Sequence, residues 1–141
     1  MPDLSDRLRE LVDALPVERG MRVLEIGGGP GAAARAVAAR VGTDGHVLMI
    51  DRSPAAVEQA RQGSRLLIAA GRMSVLCTSA ESFQLAAGET PFDLAFAFRV
   101  GALDGRHPAA GVLARARIAA AVKDGALLFI DGGNPLRVVD L

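Results

Sequence analysis

A three-layer α/β sandwich around a mostly parallel sheet is the fold class this chain predicts. Two observations carry that expectation. Short, near-continuous apolar runs alternate with stretches of helical periodicity, the pattern of strands buried on both faces beneath crossover helices. The first of those runs breaks into Gly27-Gly28-Gly29-Pro30-Gly31 just before an alanine-rich helix. Such a strand–turn–helix unit lets bare backbone approach a ligand with no Cβ in the way.

The elements follow in order. Leu4, Leu8, Leu11, Val12 and Leu15 recur at helical spacing and Pro16 stops the run, so residues 1–16 read as an N-terminal helix. Met21 to Ile26 is the first strand. Ala32 to Val41 is the first crossover helix, with unpaired N–H groups at its start. Gly42-Thr43-Asp44-Gly45 is a turn, and His46 to Asp51 the second strand. Ser53-Pro54 opens the next helix with a hydroxyl cap and proline in the first turn. Val57, Ala60, Ser64, Leu67 and Ile68 mark its buried face, and Gly71 ends it.

Met73 to Cys77 reads as the third strand and Phe92 to Phe98 as the fourth. Ala109, Val112, Leu113, Ala116 and Ala120 mark a further helix, closed by Asp124-Gly125, and Ala126 to Ile130 is the fifth strand. The tail begins as a turn and ends in a β-prone run. A fifth strand left bare would be an exposed edge. Leu136 to Leu141 is therefore expected to cover it as a brief antiparallel strand, on its own sheet or on a partner's. A homodimer is the expected assembly, since a partner could also wall an acceptor site. With no linker, repeat or low-complexity segment, residues 1–141 read as a single domain, with a ligand-binding core over 21–131 and an edge-capping tail over 132–141.

Composition narrows the function classes. Sixteen basic and sixteen acidic residues cancel and no basic run exists, so nucleic-acid binding gets no electrostatic support. Trp and Tyr are absent, which removes the usual base-stacking side chains, although five Phe remain. Cys77 is the only cysteine, so no disulfide forms within the chain; placed in an apolar run, it reads as a small core residue. Asp3, Asp6 and Arg7 interrupt the amino terminus before an apolar stretch could act as a signal peptide, and no run approaches membrane-spanning length. The expected location is the cytoplasm. No metal site is expected.

Glu25, two residues before the glycine turn, discriminates between ligand classes: a carboxylate there repels phosphate but can anchor a cation. Gly27, Gly29 and Ala32 also satisfy a dinucleotide-type G-x-G-x-x-A pattern, which keeps an NAD-dependent oxidoreductase open. Asp51, at the end of the second strand, can accept hydrogen bonds from both hydroxyls of a ribose in either case. It can equally serve as a cap for the helix that follows.

The run Glu25-Ile26-Gly27-Gly28-Gly29-Pro30-Gly31 resembles motif I of the class I S-adenosylmethionine-dependent methyltransferases. That resemblance, extending over roughly Met21 to Asp131, implies a Rossmann-like sheet of order 3-2-1-4-5 with the cofactor at the switch between strands 1 and 4. It implies that Glu25, Gly27, Gly28, Gly29 and Gly31 meet the amino-acid end of the cofactor and Asp51 the ribose. Arg52 would lie beside the adenine edge. Thr78-Ser79-Ala80-Glu81 resembles the family's adenine-binding loop, with Ser79 at the usual acidic position and Ala80 offering its N–H; Glu81 also reads as the start of a short helix. Phe92 to Arg99 resembles the fourth strand and the motif after it. Ala97 and Phe98 would border the methionine part, Arg99 would face the methyl acceptor, and Asp93, at the far end of the strand, would be structural.

The Asn-Pro-Pro-aromatic motif of amino- and base-methylating members is missing here. His107, beside Asp104 and Arg106, could take a proton from an acceptor near neutral pH; the same stretch reads as a turn and helix start. The expected function is methyl transfer from S-adenosylmethionine to an unidentified acceptor, by preference a small molecule. The alternative is a non-catalytic cofactor-binding or subunit-interaction module of the same fold.

Overall fold

A computed structural model describes residues 4–141. In chain order the elements are α1 (Asp6–Ala14), β1 (Arg22–Ile26), α2 (Ala32–Val41), β2 (His46–Asp51), α3 (Pro54–Gly63), α4 (Arg65–Ala69), β3 (Met73–Cys77), β4 (Leu94–Ala97), α5 (Pro108–Ala121), β5 (Leu128–Asp131) and β6 (Leu136–Val139). Residues 1–3 of the expected N-terminal helix lie outside the described residues. Ser5 starts the helix, its hydroxyl accepting the Leu8 N–H at 3.2 Å.

The strands form one sheet of order β3-β2-β1-β4-β5-β6. The first five run parallel, and β6 returns antiparallel on β5, from Leu128 opposite Val139 to Asp131 opposite Leu136. The expected edge strand is therefore present, on the chain's own sheet. Because β1 sits between β2 and β4, the chain switches direction of travel across the sheet at its centre, where a crevice opens at the carboxyl ends.

Apolar layers cover both faces. On one, Val12, Val37, Val41 and Val57 from α1, α2 and α3 pack on Val23, Met49 and Phe96. On the other, Ala114, Ile118 and Ala121 of α5, with Phe83 and Phe92 from the neighbouring loop, pack on Leu24, Ile26 and Leu128. The crossover from β3 to β4 contains no helix; Phe83 fills that layer instead. Glu81 accordingly lies in a turn rather than at a helix start.

The structure redraws several elements. The helix after Ser53-Pro54 divides at Ser64, which is buried and accepts a hydrogen bond from Arg35 Nη1 at 3.1 Å; α3 ends there and a separate five-residue α4 follows. Within α5, Ala109, Val112, Leu113, Ala116 and Ala120 are all exposed, and the buried stripe is Gly111, Ala114, Ile118 and Ala121. This helix is apolar on nearly every side, so periodicity selects no face. Gly111 does: a Cβ there would meet the Ala102 carbonyl oxygen at 2.4 Å.

The fourth strand is shorter than Phe92–Phe98, because Phe92 is already tied to the exit of α5. Its N–H donates to Ala121 O and its carbonyl accepts from Lys123 N, both at 2.9 Å. The fifth begins at Leu128 rather than Ala126. Cys77 is exposed, not core: β3 is the edge strand, and its last two residues, Leu76 and Cys77, are both exposed.

Asp93 is structural. Its Oδ2 accepts the Arg22 N–H at 2.8 Å and its Oδ1 the Lys123 ammonium at 2.5 Å, pinning the start of β4 to β1 and to the loop after α5. Burial opposes ionisation, but those hydrogen bonds and the positive charges outweigh it and hold the carboxyl below its ordinary range. Asp93→Ala is expected to cost about 1–3 kcal/mol at pH 7, measured by urea unfolding. A depressed folded pKa means this stabilisation is present above the ordinary carboxylate range and fades as pH falls through the folded value. The deficit of the variant should therefore shrink toward pH 3. A deficit that stays constant with pH would remove the ionic part of this account.

Candidate functional site

At the carboxyl ends of the central strands lie two adjoining cavities. The larger, about 780 Å³, runs from Asp51 and Arg52 past Ser79 and Ala80 to Arg106 and His107. The smaller, about 220 Å³, lies between Glu25, Gly28 and Phe98 on one side and Ser5, Arg7 and Leu8 of the N-terminal segment on the other. Gly27 and Arg99 border both.

Glu25 is the electrostatic oddity of the site. As the penultimate residue of the central strand it is flanked by Met49 and Phe96 and is only 3% exposed. Its Oε1 has no hydrogen-bond partner among the described residues. Burial, and then the neighbouring Asp51 charge, push its carboxyl up to about 8, against weaker lowering by the Ala34 backbone N–H and Arg35. A buried carboxyl with an unused oxygen beside a cavity is a seat for a cation, which would restore its ordinary acidity.

The glycine turn is shaped by its neighbours. Gly27 takes φ +69°, and a Cβ there would meet Val100 Cγ2 at 2.7 Å. At Gly28 a Cβ would strike both Met49 Cγ (2.3 Å) and Glu25 Oε1 (2.7 Å), so a side chain would crowd the cavity wall beside the carboxyl. The turn is tied to β2: Gly29 N–H donates to Asp51 Oδ2 at 2.9 Å, and Ser53 N–H to Asp51 Oδ1 at 2.9 Å. Asp51 thus holds the turn, caps the start of α3 through Ser53, and borders the larger cavity, the three roles meeting in one carboxylate.

Of the residues singled out from sequence, the larger cavity brings together Asp51, Arg52, Ser79, Ala80, Glu81 and His107. The smaller brings together Glu25, Gly28 and Phe98. Gly29 and Gly31 line neither cavity: Gly29 is half-buried and tied to Asp51, and Gly31 is the buried left-handed residue (φ +92°) before α2. Ala97 lines neither cavity; its side chain is buried in the core beneath α5, since alternate residues of a strand face opposite sides. His107 precedes Pro108 at the start of α5, and its carbonyl accepts the Gly111 N–H at 3.0 Å. Arg106 is held by Asp104 at 2.8 Å. His46 is away from both cavities, bonded to Gly71 O and Ser74 Oγ.

Sequence reasoning missed Ser5, Arg7 and Leu8, because the leucine periodicity of α1 signals only packing. It also missed Asp131, whose Oδ1 accepts the Arg99 N–H at 3.0 Å. Among the described residues no helix is long and apolar enough to cross a membrane, and no cluster of three or more His, Cys, Asp or Glu could hold a metal ion.

This chain is similar to two protein-L-isoaspartate O-methyltransferases. That of Methanothrix thermoacetophila is 46% identical over 52 residues, 37% of this chain and 25% of the relative. That of Ignicoccus hospitalis is 42% identical over 57 residues, 40% of this chain and 27% of the relative. The matched stretch thus spans about a quarter of each relative's length. A crystal structure of a SAM-dependent methyltransferase from Aquifex aeolicus superposes with a TM-score of 0.69 at 20% identity, over 91% of this chain and 69% of that one, which establishes the shared fold. The family described as a methyltransferase domain matches residues 23–125, from β1 to the loop before β5. The chain belongs to that methyltransferase domain family.

Proposed function

We propose that this protein binds S-adenosylmethionine across the two cavities and transfers its methyl group to a small-molecule acceptor. The observation that carries the reading is Glu25: a buried carboxyl with an unpartnered oxygen, under a glycine turn, facing the smaller cavity. A pyrophosphate would keep that carboxyl protonated and gain no counter-charge from it, whereas an α-ammonium group favours the carboxylate and so meets its counter-charge.

Glu25 would receive that ammonium, with Gly27 and Gly28 keeping the approach clear. Asp51 has lone pairs left, beyond those used by Gly29 and Ser53, to accept the ribose hydroxyls. Ser79 and the Ala80 N–H would meet the adenine edge, with Arg52 and Glu81 at the rim of the same cavity. Phe98 would wall the sulfur end. When bound, the cofactor supplies an electrophilic methyl carbon on a cationic sulfur. The protein's task is then alignment and exclusion of water, which needs no obligatory base. His107, which lines the larger cavity, would take a proton from an oxygen or nitrogen acceptor. A homodimer, the single-domain organisation with its edge-capping tail, and a cytoplasmic location belong to this proposal.

Calorimetric titration of S-adenosylhomocysteine and NAD into the purified protein tests it. The expected result is S-adenosylhomocysteine binding near the micromolar range, about 8 kcal/mol, with NAD weak or silent. Preferential NAD binding would return the site to dinucleotide chemistry. Labelled cofactor with a metabolite library then identifies the acceptor; cofactor binding without any transfer would favour the non-catalytic module.

A further inference from the structure

Arg99 follows β4 and is the one non-glycine residue with positive φ, +61°, among the described residues. A side chain in that region is strained, and such strain persists only where the surroundings enforce it. The enforcing contact is at hand: the Arg99 N–H donates to Asp131 Oδ1 at 3.0 Å, from the last residue of the adjacent β5. The conformation sets Arg99 at the junction of the two cavities, bordering both. Its guanidinium makes no hydrogen bond or ion pair among the described residues.

The smaller cavity already offers Glu25 to a cation. An amino-acid end is a zwitterion, so its carboxylate calls for a donor within the same small volume, and a cation is the strongest one. Two arginines border that cavity. Arg7 is engaged with Glu10 at 2.8 Å on the exposed side of α1, which leaves Arg99 as the uncommitted one. A guanidinium fork suits a carboxylate in a way a flexible ammonium does not.

We infer that Asp131 is a positioning residue, holding Arg99 in its left-handed turn so that the Arg99 guanidinium receives the α-carboxylate of the amino acid seated in the smaller cavity. The inference rests on the cofactor reading above and adds to it a carboxylate partner and the residue that aims it.

The test compares two probes: S-adenosylhomocysteine, and 5′-methylthioadenosine, which keeps the nucleoside and thioether but lacks the amino-acid end. Calorimetry with Asp131→Ala should show S-adenosylhomocysteine weakened about tenfold or more, with methylthioadenosine unchanged. Asp131→Asn, which retains an oxygen for the Arg99 N–H, should recover most of that loss. Arg99→Gly should give the same selective loss while folding at least as well as the parent, since glycine adopts positive φ without strain; it carries the test should Asp131→Ala fail to fold. Equal weakening of both probes, no change in either, or a selective loss in Arg7→Ala but not in Arg99→Gly would overturn the inference. A parent protein that binds no S-adenosylhomocysteine overturns the cofactor reading itself, a result distinct from binding that is indifferent to Arg99 and Asp131.

Discussion

Ligand-free protein is expected to lose stability as pH rises from about 5 to about 9, and Glu25→Gln is expected to remove most of that loss. In the unfolded chain the Glu25 carboxyl ionises near 4.5, but burial in the fold, aided by Asp51, pushes it up to about 8. Its folded pKa is raised, so the native state binds the proton more tightly than the unfolded state does. The contribution is fully present below the unfolded value, declines through the interval between the two, and is lost above the folded value. A tenfold difference in proton affinity corresponds to about 1.4 kcal/mol, which places the decline at the order of a few kcal/mol. Glutamine keeps the shape of the neutral acid and cannot ionise. Its urea midpoint at pH 8.5 should exceed that of the parent, while the two converge near pH 5. An ammonium-bearing ligand changes the sign for the bound form, because it favours the carboxylate. Stabilisation by S-adenosylhomocysteine should therefore grow with pH over the same interval in the parent, and stay flat in Glu25→Gln. Parallel pH profiles for the two proteins, with and without ligand, would sink this account of Glu25.

The contrast between what was legible and what was not has physical causes. Strand positions in the centre of the sheet announce themselves, because a parallel strand buried on both faces must be apolar throughout, as in Val23, Leu24 and Ile26. Glu25 stands out for the same reason: it is the one ionisable residue in such a run. The glycine turn and Asp51 were legible as a unit, but not their mutual hydrogen bond, which depends on three-dimensional register. Long-range polar contacts leave no local pattern. Ser64 breaks its helix because Arg35 reaches it from α2, and Arg99 turns left-handed because Asp131 lies beside it. The face of α5 is set by a glycine meeting a carbonyl, which alanine periodicity conceals. Cys77 misled through its neighbours: an apolar run implies burial only where both flanks are covered, and β3 has one flank open.

Asp51→Ala is expected to weaken S-adenosylhomocysteine binding by about a hundredfold or more. Two separable losses combine. A ribose would lose its charged acceptor, and hydrogen bonds to charged groups contribute about 1.5–3 kcal/mol each. The glycine turn would also lose its anchor, since Asp51 Oδ2 holds the Gly29 N–H at 2.9 Å while Oδ1 holds that of Ser53. Asp51→Asn separates them: the amide oxygen can keep one of the two N–H groups, but the charge is gone and one acceptor has become a donor. A ribose role predicts a large loss in both variants, whereas a purely structural role predicts that Asn recovers much of the affinity. The two carboxyls are also coupled. Asp51 is one of the causes that raise the Glu25 pKa, so Asp51→Asn should move the pH midpoint of Glu25 downward in the ligand-free protein. An unchanged S-adenosylhomocysteine isotherm in Asp51→Ala removes the ribose assignment, and an unmoved midpoint in Asp51→Asn shows that the two acids do not share the field of one site.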